Sequence, residues 1–520
     1  MNLMNKKLDC ILIIDYGSQY TQLIARRIRE LESFCLVYPY NKITDKLLTE
    51  INPSAFILSG GPNSVHDKNS PKIHKNILVS QKPILAICYG MQLITKNLDG
   101  KVIRSINREY GHTFINIKKK SLIFNGIRKN KLKVWMSHGD NIKKIPKQFS
   151  ISSYSDNKII SSIENAKMKI YCLQFHPEVY HTNYGLKIIE NFVYKISNIK
   201  DKFRIKNFIK IKVNELKNQI KDKNIICGLS GGVDSTVTAY LLNKAVNKNL
   251  FCIFVDHGFL RKNESYQVNK IFKKKFGKNF IKINASNIFL KKLKNISDPE
   301  KKRKIIGKTF IEVFEKEAKK LVDVKYLGQG TLYPDIIESV SFFGGPTAKI
   351  KSHHNVGGLP KKMKLQVIEP LRELFKDEVR RVGQKLKIEK HLLFRHPFPG
   401  PGLSIRIPGV VTKEKILILQ EVDFIFINYL KKKKLYNKIW QAFAVLLPVK
   451  SVGVMGDSRT YNYSVVLRAV TSVDGMTADF FMFKKSDFNN LSNLIINNVK
   501  GINRVLYDFT SKPPGTIEWE

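Results

Sequence analysis

The chain has 520 residues, and 90 Lys and Arg against 43 Asp and Glu give it a formal net charge of +47. Hydrophobic residues at 43% and aromatics at 10% exclude a wholly disordered chain, and the length exceeds one ordinary core. No apolar run reaches the roughly eighteen residues that cross a bilayer.

The stretch Met1–Lys7 is polar and leads directly into the strand-like Ile11–Ile14, so no signal-peptide apolar region is expected. The six cysteines form no CxxC pair and sit mostly in apolar runs, as reduced thiols of a cytoplasmic protein do. Lysines crowd every segment alongside Ile and Asn, the pattern an AT-rich genome produces. No arginine-rich helix or basic tail stands out, which argues against a nucleic-acid partner.

In chain order, Cys10–Asp15 predicts a buried strand. Residues 21–31 predict a helix with Leu23, Ile24, Ile28 and Leu31 on one face. Short apolar runs at Ala55–Leu58 and Ile84–Ile87 each end in a turn, as buried parallel strands do. A lysine-rich helical stretch over 198–217 marks a boundary near residue 200. Beyond it come a strand at 225–229, a glycine turn, a helix at 236–245 and a strand at 250–255. The Pro/Gly-dense run from His396 to Gly402 marks a second boundary. Short strands at 452–455, 464–470 and 504–509 then alternate with helices. The expected domains are 9–200 and 201–395, both α/β, and 396–520, α+β.

Two constellations carry chemistry. Cys88 ends an apolar strand just before a helix, a turn that exposes a side chain to backbone N–H groups and favours thiolate. A nucleophilic cysteine needs a base and an orienting group, and His176-Pro177-Glu178 offers both, two residues apart. Ser59-Gly60-Gly61-Pro62 offers backbone amides for an oxyanion. Second, Ser230-Gly231-Gly232-Val233-Asp234-Ser235-Thr236 lies between a strand and a helix. Its glycines let the backbone wrap an anion, while its hydroxyls and the helix N-terminus supply donors. The spacing is not that of a Walker loop.

The first set resembles a class I, triad-type glutamine amidotransferase over roughly residues 9–200. The resemblance implies that Cys88 attacks glutamine, His176 shuttles the proton, Glu178 orients the imidazole, and the N–H groups of Gly60 and Tyr89 hold the oxyanion. The second set resembles the PP-loop of ATP pyrophosphatases, of the adenine-nucleotide α-hydrolase-like fold. The motifs Val255–Gly258, Gly328–Ser339, Lys351–Gly358, Arg395–Leu403, Gly456–Arg459 and Lys512–Glu520 resemble those of the glutamine-hydrolysing GMP synthase family.

That resemblance implies ATP-dependent amination of XMP to GMP, with Mg²⁺ accompanying ATP and no organic prosthetic group. It further implies ATP contacts from residues 230–236 and Lys349, and XMP contacts from Arg303, Arg504, Lys512 and Glu518. A homodimer through the C-terminal domain is implied as well. Asp335 and Glu338, three apart at a predicted helix start, can share a face and hold Mg²⁺; two solvated helix acids are the plain alternative. Lys349 and Lys351 lie between glycine-rich hinges, as lid residues or as ordinary surface charge.

Three rivals stand beside this reading. A glutamine-dependent NAD synthetase usually pairs its PP-loop with a nitrilase-like glutaminase, which Cys88, His176 and Glu178 do not resemble. An RNA-modifying PP-loop protein needs no glutaminase half. An inactive homologue would not need an intact triad and loop.

Overall fold

The computed structural model describes residues 9–118, 120–335, 365–455, 457–472 and 477–520. These fall into two compact units. The first comprises residues 9–215 with 332–335 and 373–375; the second comprises the remaining described residues from 216 to 520.

The first unit is built on one nine-stranded sheet. Its strands are β1 (Cys10–Asp15), β2 (Phe34–Pro39), β3 (Ala55–Leu58), β4 (Ile84–Ile87), β5 (Lys101–Ile117), β6 (Lys131–Lys144), β7 (Ser150–Ser155), β8 (Ile160–Asn165) and β9 (Ile170–Leu173). They lie in the order β2-β1-β3-β4-β9-β8-β7-β5-β6. Neighbours from β2 to β9 pair parallel, and those from β9 to β6 antiparallel. Sequence explains the change. Every residue of β3, β4 and β9 is buried, because helices cover both faces of a parallel sheet. Along β6 exposed or half-buried residues alternate with buried ones, the period of a sheet with one wet face. The helix Thr21–Glu30 buries Ile24, Ala25 and Ile28, and places Arg27 and Arg29 in its last turn, where cations complement the helix dipole.

The second unit holds a parallel five-stranded sheet made from β10 (Asn224–Gly228), β11 (Leu250–Asp256), β12 (Phe280–Asn284), β13 (Val324–Gly328) and β14 (Gln366–Ile368), ordered β12-β11-β10-β13-β14. A smaller sheet follows. β15 (Gln441–Met455) pairs antiparallel with β16 (Ser458–Thr471), which also carries β17 (Asp479–Phe480) and, in parallel, β18 (Ile502–Tyr507). One hydrophobic cluster runs from Ile226, Ile253 and Phe314 through Phe426 to Ala442, Leu467 and Ile502, so the two sheets share a core.

Local boundaries differ from the sequence expectation in physically simple ways. The helix after β10 begins at Val233 because Gly232, with ψ of 162°, caps it in an extended conformation. The lysine-rich helix runs over Ile205–Ile220.

Candidate functional site

Strand β4 stops at Ile87 and the helix Tyr89–Asn97 begins two residues on. The junction forces Cys88 to φ 51°, ψ −105°, a backbone state that costs a non-glycine residue about 1–3 kcal/mol. Leu173 in β9 accepts the Cys88 N–H at 2.7 Å and helps hold the turn. The sulfur lies 3.6 Å from both the Ser137 carbonyl and the Gln174 side-chain amide. Only 4% of Cys88 is exposed, and it sits at the N-cap of the helix Tyr89–Asn97.

Strand β9 runs beside β4 and delivers His176 to the same edge. His176 leads into a turn at residues 177–178, and His176 Nδ1 and Glu178 Oε1 are 2.8 Å apart, both side chains buried. The turn is pinned by Thr182 Oγ1 donating to His176 O at 2.7 Å and by Arg27 Nε donating to Glu178 O at 3.1 Å. Burial opposes charge on His176, but the Glu178 carboxylate and the Cys88 sulfur together push its pKa up to about 10. Gly60 completes the cluster: a Cβ there would stand 3.1 Å from His176 Cε1 and 3.6 Å from Cys88 Cβ. Thiol, imidazole, carboxylate and a side-chain-free backbone therefore meet at one point. That arrangement can move a proton and form a thioester.

Beside it lies a pair that sequence reading missed. His138 Nε2 is 3.2 Å from Glu109 Oε2, and Asn157 donates to Oε1 of the same carboxylate at 2.8 Å. Its only signal was a histidine between Ser137 and Gly139.

In the second unit, β10 leads into the glycine turn. Ser230 Oγ and Ser235 Oγ are 3.0 Å apart, Gly232 N–H donates to Ser230 Oγ at 3.2 Å, and Thr236 Oγ1 donates to Gly232 O at 2.7 Å. Gly231 has φ 74°. Val233, Asp234 and Ser235 form the first turn of the helix Val233–Val246, whose N-terminus supplies donors for an anion. Arg395 Nη1 donates to Gly231 O at 2.7 Å.

The C-terminal tail is tied down. Arg406 is fully buried and forks onto both oxygens of Glu518, at 3.0 and 2.8 Å; Gln441 joins the same carboxylate. Lys302 Nζ meets Glu520 Oε2 at 2.5 Å, and Arg303 donates to Glu520 O. Arg303 thus engages Glu520, whereas Glu518 engages Arg406 and Gln441. Lys512 bridges antiparallel to Ala478. Arg504 lies on β18 and donates to Ser451 Oγ at 3.3 Å. Arg406 was signalled in the sequence as an arginine inside an apolar run; Lys302 had no such mark among so many lysines.

Asp335 Oδ2 accepts the Leu332 N–H at 2.9 Å, and a carboxylate is the donor type a hard cation takes. Glu338, Lys349 and Lys351 lie outside the described residues. Among the described residues, no group of three or more His, Cys, Asp or Glu is placed to hold a metal ion. No helix among them is long and apolar enough to cross a membrane.

Residues 12–196 match the family model of the class-I glutamine amidotransferases, 203–308 that of NAD synthase and 428–519 that of the GMP synthase C-terminal domain. Over 99% of its length the chain is 51% identical to a glutamine-hydrolyzing GMP synthase of Brachyspira hyodysenteriae, covering 100% of that protein. Similar proteins of the same description from Bradyrhizobium diazoefficiens and Clostridium kluyveri are each 51% identical over 98% of the chain, with 93% and 99% of their own lengths covered.

Proposed function

The chain belongs to the glutamine-hydrolysing GMP synthases, and on that premise we propose which of its residues carry each half of the reaction. The enzyme is a ligase that aminates XMP to GMP at the expense of ATP, with ammonia drawn from glutamine.

In the glutaminase half, the Cys88 thiolate attacks the glutamine carboxamide carbon. The N–H groups of Gly60 and Tyr89 receive the oxyanion. His176 gives its proton to the departing nitrogen, so that ammonia leaves and a glutamyl thioester stays; water then releases glutamate. Glu178 fixes the imidazole and favours its protonated form. One observation carries this reading, the 2.8 Å bond between His176 and Glu178 beside a cysteine held at positive φ.

In the synthetase half, Ser230, Gly231, Gly232, Val233, Asp234, Ser235 and Thr236 hold the polyphosphate, with Lys349 closing on it. O2 of XMP attacks the α-phosphorus of ATP, pyrophosphate departs, and ammonia then displaces AMP from C2. Arg303, Arg504, Lys512 and Glu518 bind XMP. Asp335 and Glu338 would hold Mg²⁺, which neutralises polyphosphate charge when bound. The functional domains are residues 9–200, 201–395 and 396–520. A homodimer through the last of these, in the cytoplasm, completes the proposal.

A chloroketone analogue of glutamine tests the nucleophile. One adduct per chain, on Cys88, is expected. An adduct on Cys10, Cys35, Cys172, Cys227 or Cys252 instead would contradict it.

A further inference from the structure

The second unit contains a cleft of about 1120 Å³, at or above the roughly 300–1,000 Å³ of ordinary small-molecule sites. Its wall is basic: eight lining residues are Lys or Arg and two are acids, Glu264 and Asp423. Both acids are engaged. Glu264 accepts from Arg395 Nη2 and from the Arg261 backbone N–H. Asp423 lies 3.4 Å from Arg261 Nε and 3.8 Å from Arg406 Nη1. Lys431, Lys434 and Lys438 have no carboxylate within ion-pair distance among the described residues. Burial disfavours charge on Lys431, and the guanidinium groups of Arg261 and Arg395 disfavour it further. Lys431 therefore faces like charges whose own acids are already engaged, and an anion would relieve that repulsion.

None of residues 230–236 lines the cleft, but Arg395 connects the two. A trans peptide points the Gly231 carbonyl and the Gly232 N–H in opposite directions. The N–H goes to Ser230 Oγ and the carbonyl to Arg395. Arg395 therefore grips the loop from the side away from its hydroxyls. The cleft also offers flat surfaces: His396 and Tyr436 stack with ring centroids 3.7 Å apart, and Trp440 lines the same wall.

We propose that this cleft is a second anion site, taking a small phosphate-rich molecule, and that Arg395 links its occupancy to the SGGVDS loop. The shared chemistry is a run of linked phosphates, from a nucleoside triphosphate or an inorganic chain. A ligand phosphate would compete with Glu264 and Gly231 O for the Arg395 guanidinium, whose forked donors suit phosphate oxygens. Single-stranded nucleic acid fits less well, because it needs a groove that follows a backbone.

The test is calorimetric titration of the full chain with tripolyphosphate, its ATP site saturated with a non-hydrolysable ATP analogue. A saturable event is expected in the wild type, weakened about tenfold or more in Lys431→Ala/Lys434→Ala. Ammonium-driven GMP formation without added tripolyphosphate should be unchanged in that variant, which shows that it is folded. Lys438→Ala alone, should the double variant fold poorly, is expected to weaken the event by a smaller factor. GTP displacing tripolyphosphate would assign a nucleoside triphosphate; no displacement would assign an inorganic chain. Absence of the event in the wild type, equal affinity in every variant, or preferential binding of an RNA oligomer over tripolyphosphate would overturn the proposal.

Discussion

Arg406 and Glu518 are 112 residues apart in sequence and form a two-pronged ion pair, with the guanidinium wholly buried. Nearby, Lys302, also fully buried, meets Glu520. Burial disfavours charge on both members of this second pair, lowering the Lys302 pKa and raising that of Glu520. The last residues of the chain are thus counter-ions of its core, unlike termini that fray.

Removing residues 518–520 should therefore destabilise the second unit by about 3–5 kcal/mol, because two buried cations lose their partners. XMP-dependent pyrophosphate release should disappear while glutamate formation from glutamine persists. A urea titration and the two product assays check this. Retained GMP synthesis by the truncated chain would refute it.

Glu178→Gln removes the carboxylate that favours the imidazolium of His176, so the His176 pKa should drop from about 10. Glutamine-driven turnover should fall on the order of a hundredfold or more, with ammonium-driven turnover unchanged. The sign for stability follows from linkage. A pKa raised above the ordinary 6.5 stabilises the folded state below pH 6.5, and that contribution is lost as pH rises towards 10. Urea midpoints of wild type and variant should differ most near pH 6 and converge towards pH 10.

Much of this was legible in sequence because it was local. The strand-to-helix junction at Cys88, the glycine turn at Gly231 and the spacing of His176 and Glu178 each sit within a few residues. The His–Glu pair meets at a turn over residues 177–178, so the two-residue spacing identified the partners without fixing their backbone. Pairings across long separations were not legible. Nothing in the sequence links Glu109 to His138, which face each other across β5 and β6, or Lys302, on the helix Pro299–Ala318, to Glu520 in the tail, because only the fold brings them together. Nor did composition show that +47 includes an acid-poor cleft, since lysines mark every segment alike.

Two small substitutions separate the halves. Gly60→Ala puts a methyl 3.1 Å from His176 Cε1; it should abolish glutamine use and spare ammonium use. Gly231→Ala imposes a left-handed φ on a residue with a Cβ, about 1–2 kcal/mol, and places that Cβ 3.0 Å from Val268 Cγ2. It should abolish XMP-dependent AMP formation from either nitrogen source. Steady-state assays with each source distinguish the two outcomes.

Acid should weaken the second unit through two histidines buried in the neutral form. His257 Nδ1 accepts the Phe259 N–H, and His396 Nδ1 accepts the Ala442 N–H, so neither nitrogen can carry a proton without breaking a bond. Burial holds both pKa values down at about 4. Their depression below 6.5 stabilises the fold above that pH, and the contribution is lost as pH falls towards 4. The urea midpoint of His396→Asn should depend less steeply on pH across that window than the wild type's.

The most direct measurement is GMP formation from XMP, ATP and Mg²⁺ with either glutamine or ammonium, in wild type and Cys88→Ala. Wild type should yield GMP, AMP and pyrophosphate from both nitrogen sources, and Cys88→Ala only from ammonium. Glutamine-driven GMP formation by Cys88→Ala, or no XMP-dependent pyrophosphate release from either protein, would contradict the assignment of the two sites.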